Sequence, residues 1–256
     1  MPQTSDPNAM GSMNLGARVA ARLRARLRTV RWLETFPDFE LEAQKIIAAT
    51  RAYTMTSPER LYALIQAVRF IAHSRVEGDI VECGVWRGGS VMAAALTLVD
   101  VDNTERHIYG FDTFEGMSPP SAPDVDIYGR DAARFLKRGR RARELVVTEA
   151  AVRANVALVP YPQECVHFVK GMVEDTVPSR APERIALLRL DTDWYESTRH
   201  EMIHLFPRLA PGGVLIVDDY GHWRGAKQAV DQYLSENNVS LLLNRIDYTG
   251  RIGVKR

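Results

Sequence analysis

An apolar run, Ile185-Ala186-Leu187-Leu188-Arg189-Leu190, leads straight into Asp191-Thr192-Asp193, and a second, Val214-Leu215-Ile216-Val217, leads straight into Asp218-Asp219. Short runs of β-branched residues and leucine read as buried strands, so both acid pairs stand at strand ends. In a doubly wound sheet such ends share the carboxyl edge where ligands bind, and one helix plus the Pro211-Gly212-Gly213 turn separates these two. Carboxylates gathered there repel: a pair at ~5 Å costs roughly 3 kcal/mol at an effective dielectric near 20. A cation must offset that repulsion. Oxygen-only donors favour a hard divalent ion such as Mg²⁺, and the sequence has no His/Cys cluster that would argue for zinc. A single Asp could instead cap the helix that follows it, but paired acids at two successive strand ends are harder to explain that way.

An earlier run, Ile80-Val81-Glu82-Cys83, ends in Gly84-Val85-Trp86-Arg87-Gly88-Gly89-Ser90, where a helix begins. Glycine at a strand-to-helix turn lets backbone approach a ligand closely, although a tight turn also uses glycine for structural reasons alone. The G-x-x-x-G-G spacing departs from the G-x-G-x-x-G turn that presents a helix N-terminus to a pyrophosphate. The next strand ends in Phe111-Asp112, an acid placed to accept both hydroxyls of a ribose. An adenosine ligand without phosphates fits both features, and S-adenosylmethionine is the common one. The expected cofactor contacts are Glu82, Gly84, Gly88, Gly89, Ser90, Asp112, Thr113 and Gly171.

These residues need a scaffold. Ser57-Pro58-Glu59 supplies a cap, a first-turn proline and a first-turn acid, and Leu61, Leu64, Ile65, Val68, Ile71 and Ala72 continue a helix to about residue 74. Strands are expected over 80–83, 107–112, 165–169, 185–190 and 214–217, alternating with helices over 90–99, 147–158, 197–209 and 226–235. That order requires a parallel sheet covered on both faces. The stretches 239–243 and 246–254 read as terminal strands with no helix between them, one of them antiparallel. The expected fold is α/β: a doubly wound, mostly parallel seven-stranded sheet with an antiparallel edge hairpin, forming one domain over 36–256. Residues 1–14 read as a flexible tail. Residues 15–35 read as a basic amphipathic helix, with Leu15, Val19, Leu23, Leu27 and Val30 on one face and arginines on the others. The polar stretch 118–145 carries the basic run 129–144 and reads as a lid over the carboxyl edge, or as a solvated loop.

Of the 256 residues 46% are hydrophobic and 25% charged, which excludes a disordered or disulfide-stapled chain. A net charge of +1 leaves no global field to recruit nucleic acid. No apolar run is long enough to span a bilayer, no signal-peptide core opens the chain, and the expected location is cytosolic. Cys83 and Cys165 fall inside strand-like runs and should be buried and reduced.

Four segments together, 81–90 (VECGVWRGGS), 111–117 (FDTFEGM), 188–198 (LRLDTDWYEST) and 207–220 (PRLAPGGVLIVDDY), resemble the macrocin O-methyltransferase family, and the likeness runs over roughly 36–254. The resemblance implies an S-adenosylmethionine- and Mg²⁺-dependent enzyme, usually a homo-oligomer, that methylates sugar hydroxyls on glycosylated antibiotics or saccharides. Residue by residue it implies Asp191, Asp218 and Asp219 as metal ligands, Asp193 as base and Asp112 as ribose ligand. Asp193 lies one short step past Asp191, close enough to face the same acceptor. His222 is the rival base, whereas His200 and His204, one turn apart on a predicted helix, read as surface or packing residues. Trp86, Trp194 and Tyr195 flank the site and could stack on a ring or fill a core. Two other enzyme classes remain open. A catechol-type methyltransferase applies the same cation logic to a phenol, and a glycosyltransferase could use Asp191-Thr192-Asp193 on a nucleotide sugar but would leave the glycine loop and Asp112 without a role.

Overall fold

The apolar runs become strands in the expected order. In the computed structural model, which describes residues 36–136 and 145–256, these are β1 (Asp79–Cys83), β2 (Ile108–Asp112), β3 (Val166–Lys170), β4 (Ile185–Leu190), β5 (Leu209–Val217), β6 (Asn244–Arg245) and β7 (Arg251–Val254). They form one sheet ordered β3-β2-β1-β4-β5-β7-β6. Strands β1 to β5 pair in parallel, and β7 runs antiparallel to both β5 and β6. The strand order reverses between β1 and β4, the switch point where a crevice opens at the carboxyl edge. The tail 1–14, the basic helix expected over 15–35 and residues 137–144 of the expected lid lie outside the described residues.

Successive strand residues point to opposite faces, and each face has its own apolar layer. Ile80, Ile108, Phe168, Leu187 and Ile216 pack with α1 (Leu41–Thr50), α2 (Pro58–His73), α3 (Gly89–Asp100) and α5 (Glu149–Val156). Val81, Phe111, Leu188, Leu215 and Val217 pack on the other side with α6 (Val173–Thr176), α7 (Tyr195–His204) and α8 (Arg224–Glu236). A short α4 (Ala132–Leu136) sits outside both layers, in the excursion after β2. Ser57 caps α2 by accepting from the Arg60 amide at 3.2 Å, as its sequence suggests. Cys83 and Cys165 are buried and unpaired. Among the described residues no helix is long and apolar enough to cross a membrane.

Four expectations need correction. The stretch 246–250 is a turn held by the Asp247 carboxylate, whose Oδ1 accepts the Thr249 and Gly250 amides (2.9 and 2.7 Å), so the last strand covers only Arg251–Val254. The stretch 239–243 is not a strand: Val239, Leu241 and Leu243 pack against the second apolar layer, and pairing begins only at Asn244. Pro211-Gly212-Gly213 is not a turn ahead of β5 but a bulge within it: Gly212 has a φ of +79°, the register with β4 shifts there, the Gly212 amide donates to Lys255 O (2.7 Å) and the Lys255 amide to Gly213 O (2.8 Å). The helix expected over 197–209 starts at Tyr195 and stops at His204, since Pro207 forces a 3₁₀ turn over Phe206–Arg208. Helix α1, with Ala43, Ile46, Ile47 and Thr50 buried, was not anticipated.

Candidate active site

Neighbouring strands bring the two acid loops together. The Asp191 amide donates to Cys83 O at 2.8 Å and the Asp218 amide to Leu190 O at 2.9 Å, so the parallel ladder runs one residue past each strand end. Beyond it, carboxylate oxygens of Asp191, Asp193 and Asp219 lie within 4.8 Å of one another. Asp193 has a positive φ of 69°, a left-handed conformation that its surroundings must enforce. Trp194, only 2% exposed, anchors the next position by donating its indole Nε1–H to Ser118 O at 2.9 Å. Burial among like charges pushes Asp193 up to about 7 and Asp219 well above the carboxylate range, and a hydrogen bond joins the two groups.

Asp218 faces the other way. Its Oδ1 accepts from Arg189 Nη2 at 2.5 Å and its Oδ2 accepts from Arg60 Nη1. Arg189, 2% exposed, also donates to Glu82 Oε1 (2.5 Å), Asp191 Oδ2 (2.8 Å) and Thr56 Oγ1 (2.9 Å). The three acids that converge are therefore Asp191, Asp193 and Asp219, with Asp218 beside them but turned to two guanidinium groups. Glu82 does not line the cavity: it is buried against Arg189 and Ser90, and desolvation pushes its carboxyl up to about 7. The expected cofactor contact at Glu82 is thus a support for Arg189.

A cavity of about 320 Å³ opens along the carboxyl edge. Gly84, Ser90, Asp112, Thr113 and Gly171 line it at one end, and Asp191, Asp193, Asp218, Asp219 and His222 at the other. Asp112 holds the first loop in shape, because its Oδ2 accepts the Val85 and Trp86 amides (2.8 and 3.0 Å) and its Oδ1 the Phe114 amide (2.8 Å). The Thr113 hydroxyl reaches Oδ1 as a long fourth donor at 3.5 Å, the contact a ligand hydroxyl would have to replace. The glycines serve chain crossings more than a ligand. A Cβ on Gly84 would stand 2.1 Å from Asp191 O, and one on Gly89 2.6 Å from the Tyr53 backbone. Gly88 (φ +85°) faces Val152 and Val156, and neither Gly88 nor Gly89 lines the cavity.

His222 lines the acidic end, its Nδ1 3.0 Å from Tyr248 Oη and its ring edge-on to Trp223. Burial lowers its pKa, which favours the neutral imidazole. Trp86 lines the cavity, Trp194 is core, and Tyr195 Oη bonds Gln232. His200 and His204 are packing residues on α7, as expected.

Sequence reading missed Arg189, Arg60 and the segment 54–56, which also lines the cavity. Arg189 carried a usable signal, a lone charge inside an apolar strand. Arg60 carried none, since α2 reaches the site only through the sheet packing.

Residues 23–253 match the family described as Macrocin-O-methyltransferase (TylF). The chain is 36% identical over 199 residues to the demethyldecarbamoylnovobiocin O-methyltransferase of Streptomyces niveus, covering 78% of this chain and 74% of that protein. It shows the same identity, length and coverage with the 8-demethyl-8-(2,3-dimethoxy-alpha-L-rhamnosyl)-tetracenomycin-C 4'-O-methyltransferase of Streptomyces olivaceus. The solved structure of the O-methyltransferase NovP superposes with a TM-score of 0.72 at 30% identity, over 93% of this chain and 99% of that one. The glycine loop, the strand-end acids and these likenesses agree: the chain is an O-methyltransferase that belongs to the macrocin O-methyltransferase family.

Proposed function

We propose that this enzyme moves the methyl group of S-adenosylmethionine to a sugar hydroxyl, assisted by a divalent cation of the Mg²⁺ type. The observation that carries the reading is the convergence of Asp191, Asp193 and Asp219 at the end of a cavity whose other end is the glycine loop and Asp112. The donors suit a hard cation: all are carboxylate oxygens, and two of the three implied ligands, Asp191 and Asp219, already face each other. Asp191, Asp218 and Asp219 would hold the ion, and Asp112 with the 84–90 loop would hold the adenosine. When bound, the sulfonium supplies the methyl group and the cation supplies positive charge that eases ionisation of the acceptor hydroxyl.

The chain's own residues do the rest. Asp193 takes the hydroxyl proton, held in place by its left-handed backbone and by Trp194. Met117, Trp223 and Leu145 add apolar wall to the cavity. Asp112 keeps the loop under the cofactor rigid through its three amide bonds. A second reading places the base at His222, favoured by its neutral ring in the same cavity. A sugar acceptor is supported over a phenol by the rhamnosyl substrate in the name of the Streptomyces olivaceus relative. Self-association belongs to the same proposal and is read by light scattering on the purified chain.

The test incubates enzyme and S-adenosylmethionine with rhamnosides, a catechol and a nucleotide sugar, with Mg²⁺ or with EDTA, and reads products by mass spectrometry. Methyl ethers of the glycosides that vanish in EDTA support the reading; methylation of the catechol alone, or full activity in EDTA, overturns it. Asp193→Asn should lower kcat about 10²–10⁴-fold and His222→Ala much less. The reverse order assigns the base to His222.

A further inference from the structure

We propose that Asp124, which belongs to neither acid pair, is a positioning residue that fixes the spacing between the two loops carrying them. It lies in the excursion between β2 and α4 and is 1% exposed. Its Oδ1 accepts the amide of Tyr195, the first residue of α7, at 2.8 Å. Its Oδ2 accepts the Ser121 amide (2.6 Å) and hydroxyl (2.9 Å). On the opposite side stands Gly225, in the first turn of α8, where a Cβ would come within 2.0 Å of the same Oδ1. The carboxylate is thus wedged between the first turns of α7 and α8. Helix α7 follows directly on Asp191-Thr192-Asp193-Trp194, and α8 follows Asp218-Asp219 after a single turn.

A negative charge at a helix N-terminus is favourable, and here one charge serves two helices. Backbone bonds brace it: Ala132 N donates to Asp124 O (3.0 Å) and Arg224 N to Val125 O (2.9 Å). The same excursion supplies Ser118 O to the Trp194 indole, and Met117 and Ser118 to the cavity wall. Trp194 and Trp223, one from each acid loop, meet edge to face with centroids 5.0 Å apart. Wall and acid loops are therefore one mechanical unit with Asp124 at its junction. Asp124 does not itself line the cavity and acts through Tyr195 and Gly225.

The inference rests on the cation site proposed above. The experiment titrates MgCl₂ and, separately, S-adenosylhomocysteine into wild type, Asp124→Asn, Asp124→Ala, Gly225→Ala and the Asp124→Ala/Gly225→Ala double variant by calorimetry, and measures kcat and KM on a rhamnoside the wild type methylates. Asp124→Ala and Gly225→Ala should each weaken Mg²⁺ binding and lower kcat by about 10–100-fold, the usual effect of losing an outer-shell support. S-adenosylhomocysteine affinity should stay within about twofold of wild type, because the glycine-loop end is unaltered. Asp124→Asn, which keeps shape and one acceptor, should fall between. The double variant should be no worse than either single, since both break one contact. Unchanged Mg²⁺ affinity and kcat in Asp124→Ala, or losses that simply add in the double variant, overturn the proposal. A wild type that binds no Mg²⁺ refutes the cation site instead, and Asp124 is then judged on kcat at constant KM for S-adenosylmethionine.

Discussion

Arg189→Met removes the one guanidinium on which Glu82, Asp191, Asp218 and Thr56 all depend, while nearly keeping its volume. Arg189, Glu82 and Asp218 are each at most 5% exposed at the side chain, so water cannot replace the lost donors. Breaking one buried pair costs about 3–5 kcal/mol. At this chain length 1 kcal/mol moves Tm by about 2–4 °C, so the variant should melt roughly 6–20 °C lower. The loss should depend on pH. Even beside Arg189, burial raises Glu82 from 4.5 to about 7, so the folded state favours its neutral form. The stability tied to this group is complete below pH 4.5 and is lost as pH rises through about 7. Without Arg189, which opposes the rise, the carboxyl ionises later still. The gap between variant and wild type should then widen above pH 7 by up to about 1.4 kcal/mol per pH unit. Thermal unfolding in EDTA, followed by circular dichroism at pH 6, 7 and 8, reads both effects. A Tm within about 2 °C of wild type at all three pH values would refute the hub role of Arg189.

Asp112→Ala should weaken S-adenosylhomocysteine binding by about 1–3 kcal/mol and also lower Tm, because three amides of the first loop lose their acceptor; a titration paired with a melt separates this from a ligand contact alone. Gly84→Ala should cost at least about 1–3 kcal/mol in urea unfolding, since its φ is +88° and the new Cβ would overlap Asp191 O. Magnesium affinity should be weaker at pH 6 than at pH 8, because carboxylates bind metal only when deprotonated and burial holds the implied ligands Asp191 and Asp219 well above the ordinary carboxylate range. Titrations at pH 6 and 8 with equal dissociation constants would contradict that.

The sheet was legible in the sequence where a strand is buried on both faces. Apart from Arg189, Ile185–Leu190 is apolar on both sides because helices cover both, and its β-branched and leucine residues bounded by turn signals read as a strand. Legibility failed at the edge. Val239, Leu241 and Leu243 alternate like a strand but pack as a loop, and Asn244–Arg245 pairs although its residues resemble a turn, because an edge strand is chosen by what its neighbour β7 offers. Pro211-Gly212-Gly213 misled for the same reason: it joins the strand as a bulge through residue 255, far along the chain, whose carbonyl accepts from Gly212 and whose amide donates to Gly213 O.

The site was legible as a set of acids and illegible as an arrangement. Asp218 and Asp219 are adjacent and chemically identical, yet one carboxylate turns to Arg189 and Arg60 and the other to Asp193. Side chains past a strand end continue its alternation, so neighbours in sequence part company in space. The glycine loop shows a similar split, with Gly84 and Ser90 in the cavity and Gly88 and Gly89 pressed against other chain segments. The net charge of +1 hides a local imbalance: Glu82, Asp191, Asp193, Asp218 and Asp219 stand against Arg189 and Arg60. Two guanidinium groups offset the acids they touch and leave the Asp193–Asp219 end negative. That end can be balanced by protons, as the raised carboxyls show, or by a divalent cation. The two compete for the same oxygens, which makes the pH dependence of magnesium binding a direct reading of this imbalance.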